Sequence, residues 1–118
     1  MQNHSEIYEF ITLLRISAIN KDLDRGIKLH GDIMRRGLLE KSPYLASSVI
    51  HMYSKCGVAS TAQQVLDELS VRNVVSWNAL ISGYAHQGKG YEALDCFERM
   101  LSEGLSPNVI TFICILKA

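Results

Sequence analysis

Three cysteines and four histidines are the side chains of this chain that are best suited to bind a metal or act as nucleophiles. Cys56, Cys96 and Cys114 are widely spaced and form no Cys-x-x-Cys pair. His51 precedes Lys55 by four residues, beside Cys56, but no second ligand lies at metal spacing. We therefore expect buried free thiols in a reducing compartment, and we predict no catalytic residue, no metal site and no cofactor.

Three asparagines offer a different chemistry, because an amide both donates and accepts hydrogen bonds. Asn73 and Asn108 each precede a predicted helix, where the side chain could cap the first turn. Asn78 is polar within an otherwise apolar helix start, next to Trp77, and capping does not account for it. Ser47 fits a structural or a recognition role equally well. These residues are the candidates for ligand recognition.

The segments that hold these residues recur along the chain. A shift of 31 residues places Tyr53 on Tyr84, and a 36-residue shift brings a weaker upstream copy into the same frame. A shift of 35 takes residues 73–77 to 108–112, where a further copy begins. Such repetition at a period of 20 to 50 residues is typical of repeat architectures.

Each copy has the pattern of a helical hairpin. Trp77, Leu80, Ile81 and Tyr84 fall at i, i+3, i+4 and i+7, which is one face of a helix. Turn glycines and a second apolar stripe follow, and the second stripe ends near a further glycine. These later positions are Gly88, Gly90, Ala93, Phe97, Met100 and Gly104.

A hairpin this short cannot bury its own apolar face, so it must stack on neighbouring hairpins. We therefore predict an all-α fold, a right-handed α-solenoid of helical hairpins of the tetratricopeptide-like kind. Gly26, Ala62 and Ala93 stand at the same place in each second helix. Small residues there indicate close helix approach, although an exposed helix former is the alternative.

Composition sets limits on function. The length of 118 residues suits one domain, and 47% apolar residues with two prolines indicate a folded chain. Twelve basic residues balance twelve acidic ones, so total charge gives no support for nucleic-acid binding. The first copy is the more basic part, through Arg15 and its neighbours, which fits either phosphate contacts or solvated helix faces. No apolar run reaches a membrane span, and no transit peptide is visible.

The repeated residues resemble the units of plant pentatricopeptide repeat proteins. The segment from Asn73 to Gly88, followed by the second helix through Met100, resembles the standard unit of that family. Residues 48–57 resemble its short unit, and residues 13–37 its long unit. This mixture resembles the land-plant subclass with long, short and standard units. The predicted boundaries are a long unit at 7–42, a short unit at 43–73, a standard unit at 74–108 and the first helix of another long unit at 109–118.

The resemblance implies a single-stranded RNA-binding protein of mitochondria or chloroplasts, linked to RNA processing or cytidine-to-uridine editing. Editing members of the family end in a zinc deaminase with H-x-E and P-C-x-x-C motifs, and this chain has neither. We therefore expect a guide segment that is not an enzyme. A protein-interaction scaffold of tetratricopeptide type is the alternative.

By the same resemblance, the fifth and last residues of a repeat select a base and the second residue stacks against it. The pair Asn78 and Asn108 suggests cytidine, with uridine second, and the pair Ser47 and Asn73 suggests adenosine. The aliphatic Ile11, at the fifth place of the first copy, cannot select a base edge. The predicted stacking residues are Val75 and Tyr44.

The expected partners are single-stranded RNA and an RNA-editing accessory protein, with no membrane. The last copy, at 109–118, is apolar and has no second helix in the sequence to cover it. We therefore expect self-association through this uncovered C-terminal helix.

Overall fold

The computed structural model describes the backbone of residues 2–117 and the side chains of residues 4–117. This part of the chain contains seven α-helices, a short 3-10 helix at Leu39–Lys41 and no strand. The all-α prediction is confirmed. The helices are α1 (Gln2–Asn20), α2 (Leu23–Arg35), α3 (Pro43–Lys55), α4 (Ala59–Glu68), α5 (Val74–His86), α6 (Gly90–Ser102) and α7 (Val109–Lys117).

The helices form three hairpins followed by a single helix. The first helices α1, α3, α5 and α7 form a row in which each packs on the next, while α2, α4 and α6 each pack on the two first helices that flank them in sequence. The result is a short solenoid. Helix α1 begins at Gln2, before the predicted start of the first unit at residue 7, and Ala118 lies outside the described residues.

A polar side chain caps the start of α3, α5 and α7. Ser42, Asn73 and Asn108 each accept a hydrogen bond from the backbone N–H three residues later, at 3.4, 2.9 and 3.0 Å. The side-chain oxygen thereby satisfies one of the N–H groups that a helix start leaves unpaired. The capping interpretation of Asn73 and Asn108 is confirmed, and it does not exclude a second role.

Glycines end α3, α5 and α6. Gly57, Gly88 and Gly104 have φ values of +83°, +71° and +83°, a left-handed conformation that costs other residues free energy. The chain reverses direction there and begins the next helix, as the turn residues in the sequence predicted.

The apolar face predicted for the third copy lies in the core. Trp77, Leu80 and Ile81 are fully buried, and Tyr84 is 4% exposed. Their counterparts in α1 and α3 belong to the same cluster, which runs through all three hairpins without interruption. Burial between hairpins therefore supplies the hydrophobic stabilisation that no single hairpin can provide.

The small residues of the second helices permit close packing, as predicted. Ala62 and Ala93 have no exposed surface, and Gly26 is buried. A Cβ atom on Gly26 would clash with the sulfur of Met52 in α3. The alternative of an exposed helix former does not hold at these positions.

The cysteines of the described chain are free thiols. Cys56 is half-buried, whereas Cys96 and Cys114 are buried. Burial raises the pKa of Cys96 to about 12, so its reactive thiolate is scarce at neutral pH.

Between residues 2 and 117, no helix is both long and apolar enough to cross a membrane. In the same part of the chain, no group of histidine, cysteine and acidic residues is arranged to hold a metal ion.

Two first helices, α3 and α5, approach each other closely at Gly83, which the sequence pattern did not single out. A Cβ atom there would lie 2.7 Å from both Cβ and Oγ of Ser54 and 3.3 Å from its Cα. These contacts are shorter than van der Waals separation, so α3 and α5 can meet at this distance only because residue 83 is glycine.

Gly83→Ala should destabilise the chain by about 1–3 kcal/mol, because the added methyl group forces α3 and α5 apart. Gly31→Ala is the matched control: its Cβ would meet only the flexible end of Arg35 at 3.4 Å, and alanine favours helix by up to about 1 kcal/mol. Urea denaturation followed by circular dichroism measures both changes. Equal stability of the two variants would contradict close contact at Gly83.

Candidate functional site

An open groove with a volume of about 510 Å³ runs along one face of the first helices. In α3 and α5 its residues recur at helical spacing, so each helix presents one continuous stripe to the groove. The lining residues are Ile11, Arg15, Tyr44, Ser47, Ser48, His51, Lys55, Val75, Asn78, Ala79, Ser82, Asn108, Ile110 and Cys114.

The structure brings most of the predicted site residues together. Tyr44, Ser47, Val75, Asn78 and Asn108 all line the groove, although they come from two successive predicted units. Packing of the first helices in register produces this arrangement. Asn73, the remaining predicted base-selecting residue, caps α5 and is not among the lining residues.

Asn78 and Asn108 belong to one hydrogen-bonded cluster. The Nδ2 group of Asn78 donates to Oδ1 of Asn108 at 3.1 Å, and the Thr111 hydroxyl donates to Oδ1 of Asn78 at 2.6 Å. Asn78 is 6% exposed and Thr111 has no exposed surface. The two predicted base-selecting amides are therefore held in place by each other and by a buried threonine beneath them.

Ser47, the corresponding residue of the preceding repeat, has a different environment. It is 6% exposed, and its Oγ has no hydrogen-bond partner among the described residues. A buried hydroxyl without a partner is costly, so a ligand that supplied one would gain free energy from it.

Apolar side chains stand along the rim of the groove. Tyr44, Val75 and Ile110 are the second residues of α3, α5 and α7, and they are 73%, 56% and 58% exposed. Exposed apolar surfaces at regular intervals suit the flat faces of nucleobases. Ile110 was not predicted here, although the 35-residue shift that takes Asn73 to Asn108 also takes Val75 to Ile110.

The groove is basic although the chain is neutral overall. Arg15, His51 and Lys55 line it, and none of the acidic residues in the described part of the chain does. Burial lowers the pKa of His51, and the charges of Lys55 and Arg15 lower it further. Arg15 and Lys55 therefore form a positive cluster, which total charge could not reveal, and the lowered pKa leaves His51 beside them mostly neutral at pH 7.

Two acidic residues form ion pairs that join neighbouring repeats. Arg72 pairs with Glu103 at 2.6 Å, and Arg99 with Asp67 at 2.9 Å. Each pair connects residues about thirty positions apart and lies outside the groove. The uneven placement of charges leaves the groove attractive to anions.

Comparisons with known proteins agree with this architecture. The chain is 41% identical over 108 residues to the chloroplastic pentatricopeptide repeat-containing protein CRR2 of Arabidopsis thaliana, covering 92% of this chain and 16% of that protein. It is 38% identical over 111 residues to a mitochondrial pentatricopeptide repeat-containing protein of the same plant, covering 94% of this chain and 12% of the relative.

A solved structure shows the same fold. The crystal structure of the pentatricopeptide repeat protein PPR10 from maize superposes with a TM-score of 0.76 at 28% sequence identity, covering 91% of this chain and 16% of that one. The chain thus spans less than a fifth of the length of each of these three proteins.

Two family models match the sequence directly. The model described as PPR repeat matches residues 45–74, and the model described as PPR repeat family matches residues 72–118. Together they span residues 45–118, more than half of the chain. The chain therefore belongs to the pentatricopeptide repeat family.

Proposed function

We propose that this chain binds single-stranded RNA along the groove, with bases against the rim and phosphates near the positive cluster. One observation supports this most strongly: the paired amides of Asn78 and Asn108 lie in a groove that is lined by basic residues and by no acidic ones. Phosphates favour such a groove electrostatically, and amides can distinguish base edges.

Each pair of base-selecting residues is proposed to form a binding slot for one base. The slot formed by Asn78 and Asn108 suits cytidine. Oδ1 of Asn108 already accepts hydrogen bonds from Asn78 and from the Thr111 backbone, so Asn108 offers a base only the donors of its Nδ2 group. Cytosine presents acceptors at O2 and N3, whereas uracil presents a donor at N3. The neighbouring rim residues Val75 and Ile110 flank this slot and supply apolar surface, and a stacked base contributes about 1–3 kcal/mol.

The slot at Ser47 and Asn73 is proposed to take adenosine. The small serine leaves room for a purine, and its hydroxyl is without a partner in the described chain. Tyr44 and Val75 flank it on the rim. Ile11 lines the groove but has no polar group, so the first repeat selects no base.

The wider role follows from the family. We propose that the protein acts on transcripts of mitochondria or chloroplasts, in RNA processing or as a non-catalytic guide segment in cytidine-to-uridine editing. The long, short and standard unit boundaries at 7–42, 43–73 and 74–108 belong to this proposal. Two slots give little specificity, so we infer that they act within a longer array.

A protein-binding role is the second candidate, and one face of α7 favours it. Phe112, Ile113 and Leu116 are 51%, 46% and 85% exposed. Another copy of the chain or an editing accessory protein could cover this apolar surface. Light scattering across a concentration series tests self-association, and a monomer throughout would leave only the accessory protein.

Asn108→Asp should shift the preferred base from cytidine toward uridine by about tenfold, since a second carboxylate oxygen replaces the Nδ2 donors and can accept the N3–H of uracil. Fluorescence anisotropy at low salt measures the affinities for two RNAs that differ only in whether cytidine or uridine follows the adenosine. Asn73→Asp changes the other slot and should leave this preference unaltered. An unchanged preference in Asn108→Asp would contradict base selection by this pair.

Lys55→Gln should weaken binding of every RNA to a similar extent and reduce the dependence of log K on log salt by roughly one contact, because Lys55 is proposed to bind a phosphate. Lys28→Gln removes the same charge from an exposed position of α2 outside the groove. Affinities measured at salt concentrations from about 20 to about 200 mM distinguish the two variants. Equal effects of both substitutions would contradict a phosphate contact at Lys55.

A further inference from the structure

Thr111 lies beneath the two base-selecting amides and bonds to both. Its backbone N–H donates to Oδ1 of Asn108 at 3.0 Å, and its hydroxyl donates to Oδ1 of Asn78 at 2.6 Å. The same hydroxyl accepts from the backbone N–H of Asn108 at 3.1 Å. Thr111 is completely buried, so it takes no part in contacts with a base.

These bonds fix which way each amide faces. The oxygen and nitrogen of an amide are similar in size, so hydrogen-bond partners decide the orientation. The Thr111 backbone N–H can only donate, so Asn108 must present its oxygen there. Asn78 presents its Nδ2 group to that oxygen, and the Thr111 hydroxyl donates to the oxygen of Asn78 and so holds that amide in this orientation.

The orientation determines what the groove offers to a base. With its oxygen occupied, Asn108 presents only donors. Asn78 keeps one donor hydrogen and one acceptor lone pair after its two internal bonds. If the Asn78 amide turned over, its donors and acceptor would exchange places and suit a different base edge.

We propose that Thr111 is a positioning residue for base selection, acting through the orientation of Asn78 and Asn108. This inference rests on the proposed RNA-binding function. It assigns part of the selectivity of one repeat to a buried residue of α7. Thr111 itself is not among the residues that line the groove.

The preceding repeat provides an internal comparison. Ser76 is the third residue of α5, as Thr111 is the third residue of α7, and it lies 35 positions earlier in the sequence. Among the described residues, its hydroxyl bonds only the backbone of Asn73, accepting at 3.2 Å and donating at 2.8 Å. Ser47, the fifth residue there, remains without a partner in the described chain. The contact with the fifth residue is therefore specific to Thr111, while the capping contact is shared.

The first test needs no RNA. Thr111→Val keeps the shape and removes the hydroxyl, whereas Thr111→Ser keeps the hydroxyl. In NMR spectra, the Asn78 Nδ2 hydrogen that is bonded to Asn108 should be well dispersed and protected from solvent exchange in the wild type and in Thr111→Ser. Its exchange should accelerate in Thr111→Val by about fivefold, the equivalent of one ordinary hydrogen bond. An unchanged Asn78 amide in Thr111→Val would overturn the positioning role.

The second test measures selectivity in the full chain. The cytidine-to-uridine affinity ratio at this slot should fall about fivefold in Thr111→Val and stay near the wild-type value in Thr111→Ser. Ser76→Ala is the control, since it removes an equivalent cap hydroxyl without contact to Asn78. An unchanged ratio in Thr111→Val, or an equal fall in Ser76→Ala, would overturn the inference.

The two tests separate this inference from the proposed function. If the wild-type chain bound no RNA at low salt, the proposed function would fail, and the selectivity role of Thr111 with it. If RNA bound with a cytidine preference that Thr111→Val did not alter, the function would stand and the positioning role alone would fail.

Discussion

Close packing of successive first helices is the constraint on which the rest of this structure depends. Each hairpin has an apolar face that it cannot bury alone, and the shared core from α1 to α7 is the solution. Glycine at 83 and small residues in the second helices set the spacing. Because the first helices meet in register, side chains from separate repeats line a single groove. Packing and recognition therefore depend on the same geometry.

The helix caps link stability to recognition. Asn108 begins α7 by accepting a backbone hydrogen bond and also meets Asn78 of the preceding first helix. One oxygen thus serves the cap, which leaves the nitrogen of the amide for a ligand. A residue that starts one helix in this way completes the slot of the previous repeat, so adjacent repeats must be folded together before either slot is formed.

The fold could be predicted from sequence because its causes are local and repeated. Apolar spacing around Trp77, turn glycines and small residues recur at fixed intervals, and each repetition supports the others. The positions of Tyr44, Ser47, Val75, Asn78 and Asn108 in the groove follow from the same frame. The close contact at Gly83 could not be predicted, since it depends on the separation of two helices rather than on the spacing within one.

Two features of the site also depended on three-dimensional structure. The basic character of the groove is hidden in a chain with equal numbers of acidic and basic residues, because the acidic side chains of the described residues lie on other surfaces. Thr111 resembles an ordinary capping residue in sequence, and only its contact with Asn78 across 33 positions distinguishes it from Ser76. Long-range contacts of this kind leave no periodic signal.

The central claim is that RNA lies in the groove formed by the first helices. NMR chemical-shift mapping of the chain during titration with a short single-stranded RNA tests it directly. We expect the largest shifts at groove residues of α3 and α5, including Ser47, His51 and Asn78, with little change at the exposed Tyr91 and Leu94 of α6. Shifts confined to the second helices, or none at saturating RNA, would contradict it.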